Sequence, residues 1–361
     1  RELRPALAPD ENGPIFSGSA AVDWKNTTGF QTGAEPPLVA CYTGARYLLP
    51  DKRPGVFCVA YSNDRGRNWT KYDKNPVLEA LTHYNRDPKV FWHSSSQQWI
   101  MAVTLSCANH WLDGDYRFAL FGSPDLKSWT ELCRFEMPTG LDCPDMFELP
   151  VDGNPRDTRW VFWAGDGTHA LGTFDGRAFQ REGEIHRADL PWMEPGANGY
   201  AAQTCSEMPA EDGRTIQIAW LRHPGIPGMS FDQQALFPCE LSLRTTPEGI
   251  RLYRLPIQEI ERLHGASHRW SERPLPPGET QFPEVKGDLF DIRAEIELGE
   301  AEEVGLILCG WPVTYHVENK TLAGPGKPVA MDAPSGRIAL QILVDRTSLE
   351  IFGNDGRVSL S

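Results

Sequence analysis

Apolar positions along the chain fall in short runs separated by polar turns, without long stretches of helical periodicity. Four of these runs recur at nearly even spacing: PLVACYTG from Pro37, QWIMAVTLS from Gln98, RWVFWAGDG from Arg159 and IQIAWLRH from Ile216. The steps between them are 61, 61 and 57 residues. Another strand-like segment precedes each one: SGSAAVD from Ser17, DPKVFWH from Asp87, CPDMFELP from Cys143 and YAAQTCSEMP from Tyr200. Polar turns rich in Gly, Pro or Ser, such as HSSSQQ and PVDGNPRD, join the pairs into hairpins. A third strand then leads into SNDRGRNWT (62–70) and SPDLKSWT (123–130), with TFDGRAFQ from Thr173 a looser copy. An Asp-bearing turn with an aromatic after it therefore marks the outer edge of each unit. Four antiparallel strands per unit of about 40 to 60 residues predict a β-propeller, the competing reading being an irregular β-sandwich with accidental spacing.

The repeat also bears on both ends of the chain. Pro5-Ala6-Leu7 aligns with Pro76-Val77-Leu78, and Leu7 precedes Phe16 by nine residues as Leu78 precedes Asp87. The chain is expected to open at the end of an earlier blade, with that blade largely missing and four blades visible. Past residue 255 the repeat stops, and GASHRWSERPLPPGET (265–280) reads as a proline-rich connector. DIRAEIELG, GLILCG and RIALQILVDRTSLEIFGNDG then alternate apolar and polar residues as half-buried strands do. The expectation is an all-β chain with a propeller over 1–255, a linker over 256–280 and a β-sandwich over 281–361. Asn354-Asp355-Gly356 signals a hairpin with only five residues after it, so the sandwich is expected to be cut short.

Charge narrows the partners. The 361 residues carry a formal net charge of −14, which repels phosphate backbones and anionic lipid, and no apolar run approaches the roughly 18 residues of a membrane span. Neither nucleic acid nor membrane is expected as a partner. The eight cysteines include no CxxC pair, and Cys41, Cys58, Cys107, Cys239 and Cys309 sit in or beside strand-like runs, so buried free thiols are expected rather than disulfides. No GxGxxG after a strand, no HExxH and no P-loop appears, so no cofactor and no metal are expected. Arg1 does not open a charged and then apolar leader, and the residues themselves do not give a localisation.

Chemistry is expected where the innermost strands of a propeller begin, because those starts converge on one mouth. Phe16-Ser17-Gly18-Ser19, Arg86-Asp87-Pro88-Lys89 and Asp142-Cys143-Pro144-Asp145 open successive units. Two carboxylates facing one cavity are the minimum equipment for glycoside hydrolysis. Each Asp-Pro is equally readable as a turn opener. Strand alternation places Arg86 and Asp87 on opposite faces if the strand has begun by then.

At these residues the sequence resembles the glycoside hydrolases that cut fructosyl bonds, including invertases, levanases and inulinases. IFSGSAAVDWKNTTGF (15–30) resembles the family's second-blade segment, YNRDPKVFWH (84–93) contains its Arg-Asp-Pro motif, and LDCPDMFEL (141–149) resembles its Glu-Cys-Pro-Asp motif. SLEIFGNDG (348–356) is similar to a hairpin of its C-terminal sandwich, and YAAQTCSEMP with FPCELSLRTTPEG looks most like bacterial levanase-type members. The resemblance implies a five-bladed propeller leading into a sandwich, retaining hydrolysis of fructofuranosyl bonds in fructans or sucrose, and an extracellular or periplasmic location. It implies that Asp87 stabilises the transition state, that Asp142 stands where the acid/base is usually Glu, and that Phe16, Ser17, Arg86 and Cys143 surround the sugar. Trp220 is by position a further wall or a core residue.

Two departures accompany the resemblance. The family's nucleophile lies in a Trp-Met-Asn-Asp-Pro-Asn-Gly motif, and no such segment occurs in these residues; Asp10, in APDENG, does not replace it. Asp142 is one methylene shorter than Glu, a displacement on the scale that costs about a hundredfold in rate unless the backbone compensates. The expected function is thus a levanase-like glycoside hydrolase of which this chain is an inactive fragment, the alternative being a non-catalytic fructan-binding propeller.

Overall fold

The computed structural model describes residues 5–82, 84–105, 117–137, 142–188, 199–209, 211–222, 228–231, 233–278, 282–324 and 327–361. They fold as two compact units, one of residues 1–188 and 200–217 and the other of 189–199 and 218–361.

In the first unit, β1 (Ile15–Val22), β2 (Leu38–Gly44), β3 (Val56–Ser62) and β4 (Thr70–Lys71) form a four-stranded antiparallel sheet in sequence order. β5 (Arg86–His93), β6 (Gln98–Thr104), β7 (Phe118–Ser123) and β8 (Thr130–Phe135) repeat the arrangement, and β9 (Asp145–Val151), β10 (Asn154–Trp163), β11 (Thr168–Phe174) and β12 (Phe179–Arg187) pair antiparallel in the same sequence order. The unbroken apolar run at β6 reflects its position in this stack. Side chains alternate between the faces of a strand. Met101 and Val103 join a core with Val39, Phe57 and Val59, whereas Ile100 and Ala102 join one with Met146, Phe162 and Ala170. A sheet sandwiched between neighbours has no wet face, so its middle strands read as continuously hydrophobic.

The Asp-bearing turns do the same job three times. Asp64 accepts the Asn68 N–H at 2.9 Å, Asp125 accepts those of Lys127 and Ser128 at 2.9 and 2.8 Å, and Asp175 accepts those of Arg177 and Ala178 at 2.8 and 2.9 Å. These bonds to the charged form hold all three carboxyls below their ordinary value. The turn chemistry that marks the repeat is therefore what reverses the chain at each outer edge.

A fourth set begins with β13 (Gly199–Thr204) and β14 (Thr215–Leu221) and continues through β15 (Gln234–Ala235), β16 (Cys239–Thr246) and β17 (Gly249–Pro256). Residues 200–217 of this set belong to the first unit and the rest to the second, which also holds β18 (Phe290–Glu297), β19 (Glu303–Leu308), β20 (Trp311–His316), β21 (Thr321–Ala323), β22 (Val329–Ala330), β23 (Arg337–Val344), β24 (Leu349–Gly353) and β25 (Val358–Leu360). They make two four-stranded sheets, β18-β23-β24-β25 and β19-β20-β21-β22. Val313, Tyr315 and Leu322 of one sheet and Ile338, Ile342 and Ile351 of the other share a core, as a sandwich requires. The all-β expectation of a propeller and then a sandwich is borne out.

Cys41, Cys58 and Cys239 are buried free thiols, and burial pushes them up to about 12, 12 and 11. Cys309 corrects the expectation: it is exposed. Leu308 pairs with Trp311, leaving Cys309 and Gly310 as a two-residue hairpin loop with φ of 49° and 86°. Two left-handed residues suit the twist of the strands they join, so the Cys-Gly pair marks a turn rather than an apolar strand. Cys107 lies outside the described residues.

Candidate active site

The openings of β1 and β5 break register, and the backbone turns left-handed at the openings of β5 and β9. The β1–β2 register shifts between Phe16 and Gly18, and the β5–β6 register shifts between Arg86 and Lys89. Asp87, Asp142 and Cys143 have φ of 58°, 46° and 39°, a left-handed backbone costly for residues with a Cβ. At Gly18 a Cβ would stand 2.0 Å from the Cys41 carbonyl oxygen, so only glycine allows β2 to approach this closely. Bulges of this kind re-aim side chains.

That re-aiming overturns the alternation expected at Arg86 and Asp87. Both side chains turn to the same place, with the Arg86 Nε 3.6 Å from the Asp87 Oδ2. Arg86 also donates to the Asp142 Oδ1 from Nη2 at 2.7 Å and from Nε at 3.2 Å. One guanidinium thus spans two carboxylates that lie 55 residues apart in the sequence. The Asp87 Oδ2 accepts the Cys143 N–H at 3.1 Å and has the Cys143 Sγ at 3.7 Å. Cys143 therefore steadies Asp87 while standing next to Asp142 in the chain. Burial, and then the neighbouring Asp142 charge, push the Asp87 carboxyl up to about 6, against the pull of the Cys143 N–H and Arg86. Burial and the two carboxylates likewise push the Cys143 thiol well up, which keeps it a neutral thiol.

Two participants carry no motif signature. The Tyr200 hydroxyl, at the opening of β13, donates to the Asp142 Oδ2 at 2.7 Å. Both Asp142 oxygens are therefore engaged, one by Arg86 and one by Tyr200. Burial and the adjoining Asp142 carboxylate raise the Tyr200 phenol above its ordinary value, so it donates and does not ionise. Thr43 of β2 accepts the Asp87 N–H on its Oγ1 at 3.0 Å and donates to the Ser17 carbonyl at 3.1 Å, tying the mouths of β1 and β5 together. The only sequence signal for Tyr200 is an aromatic at the start of a fourth strand; nothing near Thr43 points to its role.

Phe16 is 41% exposed and stands edge-on to Tyr47, ring centroids 5.9 Å apart, with Tyr84 6.2 Å beyond. Ser17 is exposed beside it. These residues form an aromatic and hydroxyl rim beside the carboxylates. Phe16, Ser17, Arg86, Asp87, Asp142 and Cys143 all open inner strands of the first unit. Trp220 belongs to the second unit, where it pairs with Ala235 and has the Arg222 guanidinium carbon 5.6 Å from its ring centroid.

The glycosyl hydrolases family 32 N-terminal domain matches residues 1–256 and the family 32 C-terminal domain matches residues 259–361. The levanase of Bacillus subtilis (strain 168) is 36% identical over 396 aligned positions, covering 98% of this chain and 56% of the levanase. The extracellular exo-inulinase inuE of Aspergillus niger (strain ATCC MYA-4892 / CBS 513.88 / FGSC A1513) is 27% identical, covering 96% of this chain and 74% of that protein. This chain thus spans about half the length of the levanases it matches. Among solved structures, a fructofuranosidase from Schwanniomyces occidentalis complexed with fructose shares the fold at a TM-score of 0.79 and 24% identity, over 98% of this chain and 78% of that one. An exo-inulinase from Aspergillus awamori does so at 0.77 and 24%, over 96% and 77%. With the two domain descriptions matching residues 1–256 and 259–361 and nearly all of this chain aligned to the levanase, the chain belongs to glycosyl hydrolases family 32.

Proposed function

We propose that the mouth of the first unit is a fructofuranosyl pocket of a retaining fructan hydrolase, with Asp87 as transition-state stabiliser and Asp142 as acid/base. The observation that carries this reading is the single guanidinium of Arg86 held between the two carboxylates. Asp87, anionic above about pH 6, faces the position where an oxocarbenium-like ring would develop positive charge. Arg86 and Tyr200 fix the carboxylate of Asp142, and the left-handed backbone there re-aims its short side chain. Phe16 supplies an apolar face for the C–H side of a sugar, and Ser17 a hydroxyl beside it. The propeller is assigned residues 1–255, the linker 256–280 and the sandwich 281–361. An extracellular location is in keeping with that of the extracellular exo-inulinase to which the chain is similar.

The chain contains no Trp-Met-Asn-Asp-Pro segment, so this polypeptide binds a fructosyl unit without turning it over. Loss of one member of an interdependent catalytic set lowers rate by up to about a millionfold. Purified protein incubated with sucrose, levan and inulin is expected to release no fructose above blank, while calorimetry detects fructose binding that Asp87→Ala removes. Fructose release by this chain, or unchanged fructose binding in Asp87→Ala, would overturn the proposal. The missing nucleophile equally favours a fructan-binding propeller protein. Joining a blade that carries the nucleophile motif upstream of Arg1 separates the two: recovered hydrolysis supports the enzyme, and binding without hydrolysis supports the binder.

A further inference from the structure

A cavity of about 440 Å³ opens at the other ends of the strands that carry the carboxylates. Its lining takes in Val22 to Lys25 at the end of β1, Lys89 to Trp92 in the later part of β5, Met146 to Glu148 in β9, and Thr204 to Met208 at and beyond the end of β13. Trp92 lies five residues along β5 from Asp87, a separation of roughly 16 Å at a strand's rise per residue. Between the two lies a buried ion pair: the Lys89 ammonium is 3.2 Å from the Asp145 carboxylate and donates to the Thr204 carbonyl at 2.8 Å. The cavity is therefore separate from the proposed fructosyl pocket. Its volume lies within the roughly 300–1,000 Å³ of small-molecule sites.

We infer that this cavity is a second, non-catalytic binding site for a neutral oligosaccharide. The indoles of Trp24, Trp92 and Trp160 line it, and Trp24 is 67% exposed although its edge is fixed by a 2.7 Å hydrogen bond from Nε1 to the Glu207 carboxylate. A ring held at its edge and bare on its face is built to receive the C–H face of a sugar, an apolar surface rimmed by hydroxyls. Glu207 itself has a left-handed φ of 56°, so backbone strain is kept at the rim that positions Trp24. The Lys25 ammonium lies 4.6 Å from the Trp92 ring centroid and donates to Gln97. The Lys25 ammonium and the Glu207 carboxylate offer a donor and an acceptor for hydroxyls. The lining carries three cations and three carboxylates, and besides Lys25 and Glu207 each has a partner: Lys89 has Asp145, Arg214 the fork of Asp212, Asp23 the N–H and hydroxyl groups of Thr27 and Thr28, and Glu148 the Thr158 hydroxyl. A lining with equal numbers of cations and carboxylates around the exposed indole of Trp24 favours a polyhydroxylated neutral ligand over an ion of either sign. That the oligosaccharide is a fructan rests on the proposed function; that it is a sugar does not.

The test is calorimetric titration of the whole chain with fructo-, gluco- and xylo-oligosaccharides, using the Asp87→Ala protein to blind the other mouth. Asp87→Ala is expected to retain one class of oligosaccharide site, and Trp24→Ala in that background to weaken it at least tenfold while Trp24→Phe restores most of it. Trp24 is largely exposed, so unfolding curves of the variants should superimpose and report any that do not fold. Absence of oligosaccharide binding in Asp87→Ala, or binding indifferent to Trp24→Ala, overturns the inference whatever the wild type does at its other mouth. If Asp87→Ala binds a gluco- or xylo-oligosaccharide through Trp24 and no protein binds a fructoside, the second site stands and the fructosyl pocket falls.

Discussion

Asp87 in the first unit and Glu350 in the second are both buried carboxylates, 8% and 3% exposed, and burial raises both, to about 6 and about 7. Their surroundings differ in every other respect. Glu350 sits in the regular strand β24 and accepts the Phe237 N–H at 3.0 and 3.3 Å on its two oxygens, with Arg254 as the attractive charge and Asp345 as the repulsive one. Asp87 sits on a left-handed bulge, shares Arg86 with a second carboxylate, and has aromatic and hydroxyl groups along the rim beside it. A raised carboxyl therefore does not mark a working site. What distinguishes Asp87 is strain, a like charge held close by a shared cation, and convergence of several strand openings on one place.

The largest effect that sharpens this contrast is expected at Glu350. At pH 5, where its carboxyl is neutral in the folded protein, Glu350→Ala removes the acceptor from a buried N–H and leaves a cavity, a loss of about 2–3 kcal/mol. Glu350→Gln keeps an acceptor and should lose much less. Denaturant unfolding checks both, and fructose binding should be unchanged in each. A loss of binding with intact stability would show that Glu350 is not a structural clamp and would dissolve the comparison.

The next effect has the opposite sign. In the unfolded chain Asp87 ionises near its ordinary value of 3.8, whereas folded it holds its proton to about 6. Between those values the folded state binds more protons, so stability falls as pH rises through this window and the deficit is complete above it. Asp87→Asn removes the deficit. It is expected to stabilise the protein by about 1–2 kcal/mol at pH 7 and by little at pH 4, while weakening fructose binding. Destabilisation at pH 7 would make Asp87 a structural turn opener.

The contrast is only partly legible in the sequence. Asp87, Arg86, Asp142, Phe16 and Ser17 stand out because each opens a strand whose repeat is visible in the apolar pattern, and strand openings at one end of a propeller converge. The alternation rule fails at Arg86 and Asp87 because register shifts have no signature in residue type, and the left-handed φ of Asp87 is held by tertiary contacts with Thr43 and Cys143. Cys309 departs from its expected burial because the apolar run stops at a Cys-Gly pair that the two strands use as their turn. Glu350 reads in the sequence only as part of a hairpin, since its partner Phe237 lies 113 residues away.

Tyr200 provides the smallest and most discriminating effect. Its hydroxyl donates to the Asp142 Oδ2 at 2.7 Å, and Tyr200→Phe deletes that one bond while keeping the ring that is buried with it. A hydrogen bond to a charged group contributes about 1.5–3 kcal/mol when both partners are well buried, but Asp142 keeps 16% of its side chain exposed and retains Arg86, so the expected loss is about 1 kcal/mol. The variant carries different expectations under the two roles open to Asp142. If Asp142 is the acid/base, freeing one oxygen lets its carboxylate turn, and fructose binding weakens while stability falls by no more than that amount. If Asp142 only anchors Arg86, the Arg86–Asp87 pair is unaffected and the pH profile of binding stays where Asp87 sets it, near 6. Unchanged fructose binding together with the full loss of stability assigns Asp142 to scaffolding, and the mouth of the first unit then differs from the Glu350 site by a single working carboxylate, Asp87.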